Sequence, residues 1–167
     1  MSGKIFKRAI ATLTIAILPI VGLAGTASAS TSLYHRFCSN SHYGVRVACN
    51  ELGVPYVYGG ESRYGFDCSG LTQYAVRHGD GKYVPRTADD QYHSSRIRHI
   101  AWGSEKPGDL VFFTSGGYAF HVGMVVGTEH GNIYMIAAPY PGRDVRIEQV
   151  NSGYWLNSAG IHFGRVK

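Results

Sequence analysis

Gly65-Phe66-Asp67-Cys68-Ser69-Gly70-Leu71 places a cysteine where a helix should begin. Asp is a favoured helix N-cap, so Asp67 predicts a helix with Cys68 in its first turn. Leu71, Tyr74, Ala75 and His78 follow at the spacing of one helical face, and Gly79-Asp80-Gly81 ends it. A cysteine there lies among unpaired N–H groups and the positive end of the dipole, which favour thiolate over thiol. Gly70 leaves room for another backbone, or a substrate, to come close. The bland alternative is a small buried hydrophobe, a common fate of free cysteine. Polar neighbours at Asp67 and Ser69 argue against it.

Before this stretch, Tyr56 to Gly60 is short, aromatic and β-branched, and turns at Gly59-Gly60. From His42 to Leu52, the residues Val45, Ala48, Cys49 and Leu52 fall at offsets of three and four, which predicts a helix. Gly53 stands where a C-cap would, and Pro55 forbids continuation. Beyond the stretch, Thr87 can cap a short helix over Ala88 to His93. The second half changes period. Strands are expected at Asp109–Thr114, Val122–Gly127, Ile133–Ala137, Val145–Val150 and His162–Val166, with turns at Gly116-Gly117, His130-Gly131-Asn132 and Pro141-Gly142. Helices first and strands after make an α+β domain, its helices packed on one face of a mainly antiparallel sheet of about five strands.

The N-terminus reads as a leader. Lys4, Lys7 and Arg8 precede an apolar run from Ile10 to Gly25, and Ala27-Ser28-Ala29 offers small residues for cleavage. Residues 1–29 are therefore expected to be a secretory signal peptide, 30–41 a polar and poorly ordered tail, and 42–167 the catalytic domain. An uncleaved anchor is the alternative, but the run is short for a span. Removing the leader leaves 13 basic against 11 acidic residues, a net charge of +2. No basic stripe suggests nucleic acid as a partner. A monomer with no stable membrane anchor after cleavage is expected.

Export implies an oxidising compartment in which disulfides persist. There are three cysteines, and an odd one in a secreted chain is either paired with another molecule or a free thiol. Cys38 and Cys49 are expected to pair, leaving Cys68 alone. Three free thiols, or zinc held by His35, Cys38, His42 and Cys49, are the alternatives.

A nucleophilic thiol needs a base within hydrogen-bond reach, usually histidine. His35 and His42 belong to the N-terminal segment, His93 and His99 to a polar stretch, and His130 to a turn. His121 opens an apolar strand after Gly116-Gly117-Tyr118, so it can aim across at a helix terminus. Tyr118 and Phe120, in the loop before it, are candidates for a groove wall, as is Pro139-Tyr140-Pro141-Gly142. Trp102 and Trp155 read as packing or rim residues rather than a sugar platform.

Val54-Pro55-Tyr56-Val57-Tyr58-Gly59-Gly60 and Gly65 to Leu71 resemble the nucleophile region of the NlpC-type cell-wall cysteine peptidases. Val84-Pro85-Arg86-Thr87-Ala88, Lys106-Pro107-Gly108-Asp109-Leu110-Val111-Phe112-Phe113 and His121-Val122-Gly123-Met124 resemble that family's later motifs, in the same order. The resemblance implies a papain-like α+β fold and a secreted, cell-wall-associated enzyme. It implies cleavage of peptidoglycan stem peptides, typically between D-glutamate and a diamino acid, with no metal or other cofactor. Cys68 would be the nucleophile and His121 the general base. Tyr56, Asp67, Ser69 and Arg86 would bind substrate, and Tyr56 with the Cys68 N–H would hold the oxyanion.

The match breaks at one place. The family carries a third polar residue, often histidine, on the next strand to orient the base. Here Met135-Ile136-Ala137-Ala138-Pro139 puts Ala137 in that position. Either His130 or Asn132 takes the role, or a backbone carbonyl or water does, or the chain is a weak or inactive relative. A binding module for cell-wall peptides or a protein partner therefore stands beside the peptidase. An amidase or acyl transferase on a related fold is a third possibility.

Overall fold

The computed structural model describes residues 32–39, 42–158 and 160–167. The expected leader lies outside them. Among the described residues no helix is long and apolar enough to cross a membrane.

Helix α1 (32–38) is followed by α2 (Tyr43–Cys49), the ribbon β1 (Glu61–Ser62) and β2 (Gly65–Phe66), then α3 (Cys68–Asp80) and α4 (Ala88–His93). Strands β3 (Ile97–Ile100), β4 (Leu110–Ser115), β5 (Tyr118–Glu129), β6 (Asn132–Ala137) and β7 (Arg146–Gln149) come next, then α5 (Gly153–Ser158) and β8 (Gly160–Val166). The six strands β3 to β8 form one antiparallel sheet in the order β3-β8-β4-β5-β6-β7. The α+β class holds, with one strand more in the main sheet than the five expected. The extra strand, β3, is an edge of four residues whose Arg98 and His99 are exposed, so its sequence carries little apolar pattern.

The helices pack on one face of this sheet. Val45 and Ala48 of α2, and Leu71, Ala75 and Val76 of α3, join Leu110, Phe112, Val122, Met124 and Ile136 in one core. Gly79 lets α2 and α3 touch, since a Cβ there would lie 2.5 Å from the Gly44 backbone. The opposite face is buried too. Val111, Phe113, Val125, Met135, Ala137 and Phe163 form a second core, closed by Val150 and by Trp155 from α5. Burial on both faces explains why Leu110 to Phe113 is apolar throughout instead of alternating. Helix α5 was not expected: six residues beginning with Gly153 carry neither an apolar period nor a strong cap.

Residues 32–38 correct the expected unordered tail. They form a helix whose Phe37 is buried against Tyr134, with ring centroids 4.7 Å apart, and whose Arg36 meets Glu129 at 2.6 Å. The Cys38–Cys49 disulfide forms as expected and ties α1 to α2. It consumes two of the four ligands that the zinc alternative requires.

Candidate active site

Cys68 is the first residue of α3, and Asp67 is its cap: the Gly70 N–H donates to Asp67 Oδ1 at 2.7 Å. What approaches Gly70 is backbone, because a Cβ there would lie 2.0 Å from the Gly60 carbonyl oxygen. The thiol faces β5. Burial pushes the Cys68 thiol up, the Val122 N–H pulls it back, and the Asp67 charge pushes it further up. The Ser69 N–H and hydroxyl also favour thiolate. The helix-terminal donors are thus present, but burial outweighs them, and the resting group is the neutral thiol.

Asp67, Ser69 and Arg86 are brought together as expected. Arg86 donates to both carboxylate oxygens of Asp67, Nη1 to Oδ1 at 2.9 Å and Nη2 to Oδ2 at 2.7 Å. Nη1 also reaches Ser69 Oγ at 3.1 Å, and Ser69 Oγ donates to Asp67 Oδ1 at 3.2 Å. The Gly59 N–H donates to Asp67 Oδ2 at 3.0 Å. Arg86 Nε meets Glu61 at 3.3 Å. One carboxylate therefore caps α3, holds the Gly59-Gly60 turn and neutralises Arg86. Gln91 supports this cluster without having been expected to. Wholly buried, it donates to the carbonyls of Ser69 at 3.1 Å and Pro85 at 2.9 Å, and accepts from Thr72 at 2.9 Å. Tyr56 is half-buried on the chain segment beside Cys68. Its hydroxyl is pushed up by burial, then by the charges of Cys68 and Asp67, so it lies in their electrostatic reach.

His121 lies inside β5, not at its start, because the Gly116-Gly117 turn is tight and β5 begins at Tyr118. Tyr118 and Phe120 are strand residues, and both are exposed. Phe120 falls at a break in the β4–β5 register, where Phe113 pairs with His121 and Thr114 with Ala119. The His121 side chain is 4% exposed. Its ring stacks on Trp155 at 4.8 Å with 15° between planes, and meets Phe113 at 5.5 Å. Burial alone lowers its pKa to about 3, so the imidazole is neutral. The Cys68 thiol meets β5 at the Val122 N–H, one residue after His121, whose imidazole packs with Phe113 and Trp155 of the second core. The thiol and the imidazole make no hydrogen bond to each other in this structure. Catalytic hydrogen bonds are often long without substrate and tighten when it binds.

Nε2 of His121 is buried and has no hydrogen-bond partner. Ala137 lies in the same core as Trp155 and Phe113, fully buried. His130 stands at the β5–β6 turn with φ of 50°, and Asn132 Oδ1 accepts from Gln149 at 3.1 Å. Neither replaces the missing third residue, and no backbone carbonyl does. Trp155, expected only to pack, is the group that touches the imidazole. A tryptophan in a short unpatterned helix gives no local sign of that contact.

A model of the "NlpC/P60 family" matches residues 53–162. The chain is 42% identical over 118 residues to the murein DD-endopeptidase MepH of Escherichia coli (strain K12), which covers 66% of this chain and 42% of MepH. It is 36% identical over 116 residues to the gamma-DL-glutamyl hydrolase of Bacillus subtilis (strain 168), covering 66% and 26%. The chain thus spans less than half the length of these relatives. Its fold is similar to that of RipD from Mycobacterium tuberculosis, a non-catalytic NlpC/p60 domain protein adapted to peptidoglycan binding. That likeness has a TM-score of 0.59 and 23% identity, and covers 75% of this chain and 95% of that one. With its α+β architecture, its capped cysteine and a match over most of its length, the chain belongs to the NlpC/P60 family.

Proposed function

We propose that this protein is a secreted cysteine peptidase that hydrolyses stem-peptide bonds of peptidoglycan. The observation that carries the proposal is a free thiol at the start of the Asp67-capped helix, its sulfur against the Val122 N–H of β5, the strand that also carries the neutral imidazole of His121. Because both groups rest neutral, the mechanism is general-base attack and not reaction of a preformed ion pair. His121 takes the Cys68 proton as sulfur attacks the scissile carbonyl, then returns it to the departing amine. Water hydrolyses the thioester by the same route. The Cys68 N–H and the Tyr56 hydroxyl are assigned to the oxyanion, where charge develops in the transition state. Asp67, Ser69 and Arg86 line the substrate side.

The bond assigned is D-glutamyl to diamino acid, as the motifs imply, and similarity to a gamma-DL-glutamyl hydrolase supports it. Similarity to a DD-endopeptidase makes the cross-link the competing bond. A second proposal, a weak or inactive module that holds cell-wall peptides, rests on Ala137 and the unpartnered Nε2. The test is release of peptide fragments from walls with a thiol reagent or a chelator added. Loss with the reagent and not the chelator is the expected result. Loss with the chelator alone would defeat the thiol mechanism.

A further inference from the structure

With Ala137 in place of a polar orienter, His121 still needs something to hold its ring. The imidazole plane is set from one side by Trp155, nearly parallel at 15°, and bounded on another by Phe113. Trp155 is itself fixed. It is 6% exposed, it packs on Phe113 at 4.2 Å, and its indole N–H favours the ionised form of the half-buried Glu148 carboxylate. Glu148 in turn meets Arg146 at 3.3 Å. A buried aromatic with two torsions and packed neighbours is a rigid platform.

We propose that Trp155 is the positioning residue for His121, fixing the base by ring stacking in place of a hydrogen bond at Nε2. The proposal rests on the peptidase reading of Cys68 and His121. Stacking fixes the plane of the imidazole without choosing its tautomer. Its Nε2 is shut in an apolar pocket, leaving Nδ1 as the nitrogen through which the ring exchanges a proton. Trp155 touches neither substrate nor thiol in this account and acts only through His121.

The test compares wild type, W155F, W155L and A137H on peptidoglycan, with the His121 imidazole followed by nitrogen NMR without substrate. W155F keeps a ring face and is expected to stay within about three-fold of wild-type kcat. W155L is expected to lose roughly 10²-fold in kcat with KM within about two-fold, as for a misplaced base. Its His121 signals should broaden or shift while those of W155F do not. A137H is expected to gain less than about three-fold, because the ring is already held. The proposal is overturned if folded W155L matches wild type, or if its loss lies in KM. It is equally overturned if A137H gains roughly 10²-fold, which would mean an unheld ring; that arm does not depend on W155L folding. If wild type releases nothing while the W155L signals change as described, the peptidase reading fails and the positioning of His121 stands.

Discussion

At the residue scale, burial decides the chemistry. Cys68 and His121 are both pushed toward their neutral forms, the thiol up and the imidazole down to about 3. Alkylation of Cys68 by iodoacetamide is therefore expected to be slow at pH 7 and to climb above pH 9. A plateau reached by pH 7 would contradict it. The His121 shift also links to stability. Its folded pKa lies below the ordinary 6.5, so between pH 6.5 and about 3 the unfolded chain binds a proton that the folded chain refuses. Stability is full above 6.5 and falls on acidification through that window, by about 1.4 kcal/mol per pH unit from this group. Melting curves of wild type and His121→Gln across pH 4 to 7 read this directly. The variant should lose the slope, and equal slopes would reject the assignment. Asp67 and Ser69 were legible from the motif around Cys68 and Arg86 from the later Val84–Ala88 motif, but only the structure gives them a shared network. His121 was legible as the candidate base. Its contact with Trp155 was not, because the two are joined through packing across 34 residues of chain with no local pattern to announce it.

At the element scale, one carboxylate and one glycine hold α3 in place. Asp67→Ala removes the cap, worth about 1 kcal/mol, leaves the Gly59 N–H without its acceptor, and strips Arg86 of its bidentate partner, with only Ser69 Oγ, the Gly60 carbonyl and Glu61 remaining. Together these should cost roughly 3–5 kcal/mol, measured by urea unfolding. Asp67→Asn, which keeps the cap and removes the charge, should cost less; equal losses would deny the cap its part, and no loss in Asp67→Asn would deny the ion pair its part. Gly70→Ala should be worse than an ordinary helix substitution, because the Gly60 carbonyl already occupies the space. Helices α2, α3 and α4 could be read from period and caps. Helices α1 and α5 and strand β3 could not, since each is short and held by distant contacts. For α1 those contacts are the Cys38–Cys49 bridge and Phe37 against Tyr134. Reducing that bridge should remove about 3 kcal/mol in a chain-entropy account, seen as a lower melting temperature with reductant. An unchanged transition would mean that α1 holds without it.

At the scale of the whole molecule, a six-stranded sheet buried on both faces lies between the helical layer that carries Cys68 and the core in which His121 packs. Cys68 arrives with the helical layer, and His121 packs with the second core under Trp155. Along β5, the thiol's contact at the Val122 N–H lies one residue from His121. The α+β order of elements was readable from the change of period after residue 100. The second buried face was not, because its cover comes from α5. The proposed function requires that this thiol and this imidazole cut a peptide bond in the wall. The measurement that tests it most directly is digestion of purified peptidoglycan by wild type and by Cys68→Ala, with products weighed by mass spectrometry. Stem-peptide fragments cut between D-glutamate and the diamino acid, present with wild type and absent with the variant, are the predicted result. No release by wild type from walls of several chemistries, or equal release by both proteins, would contradict it.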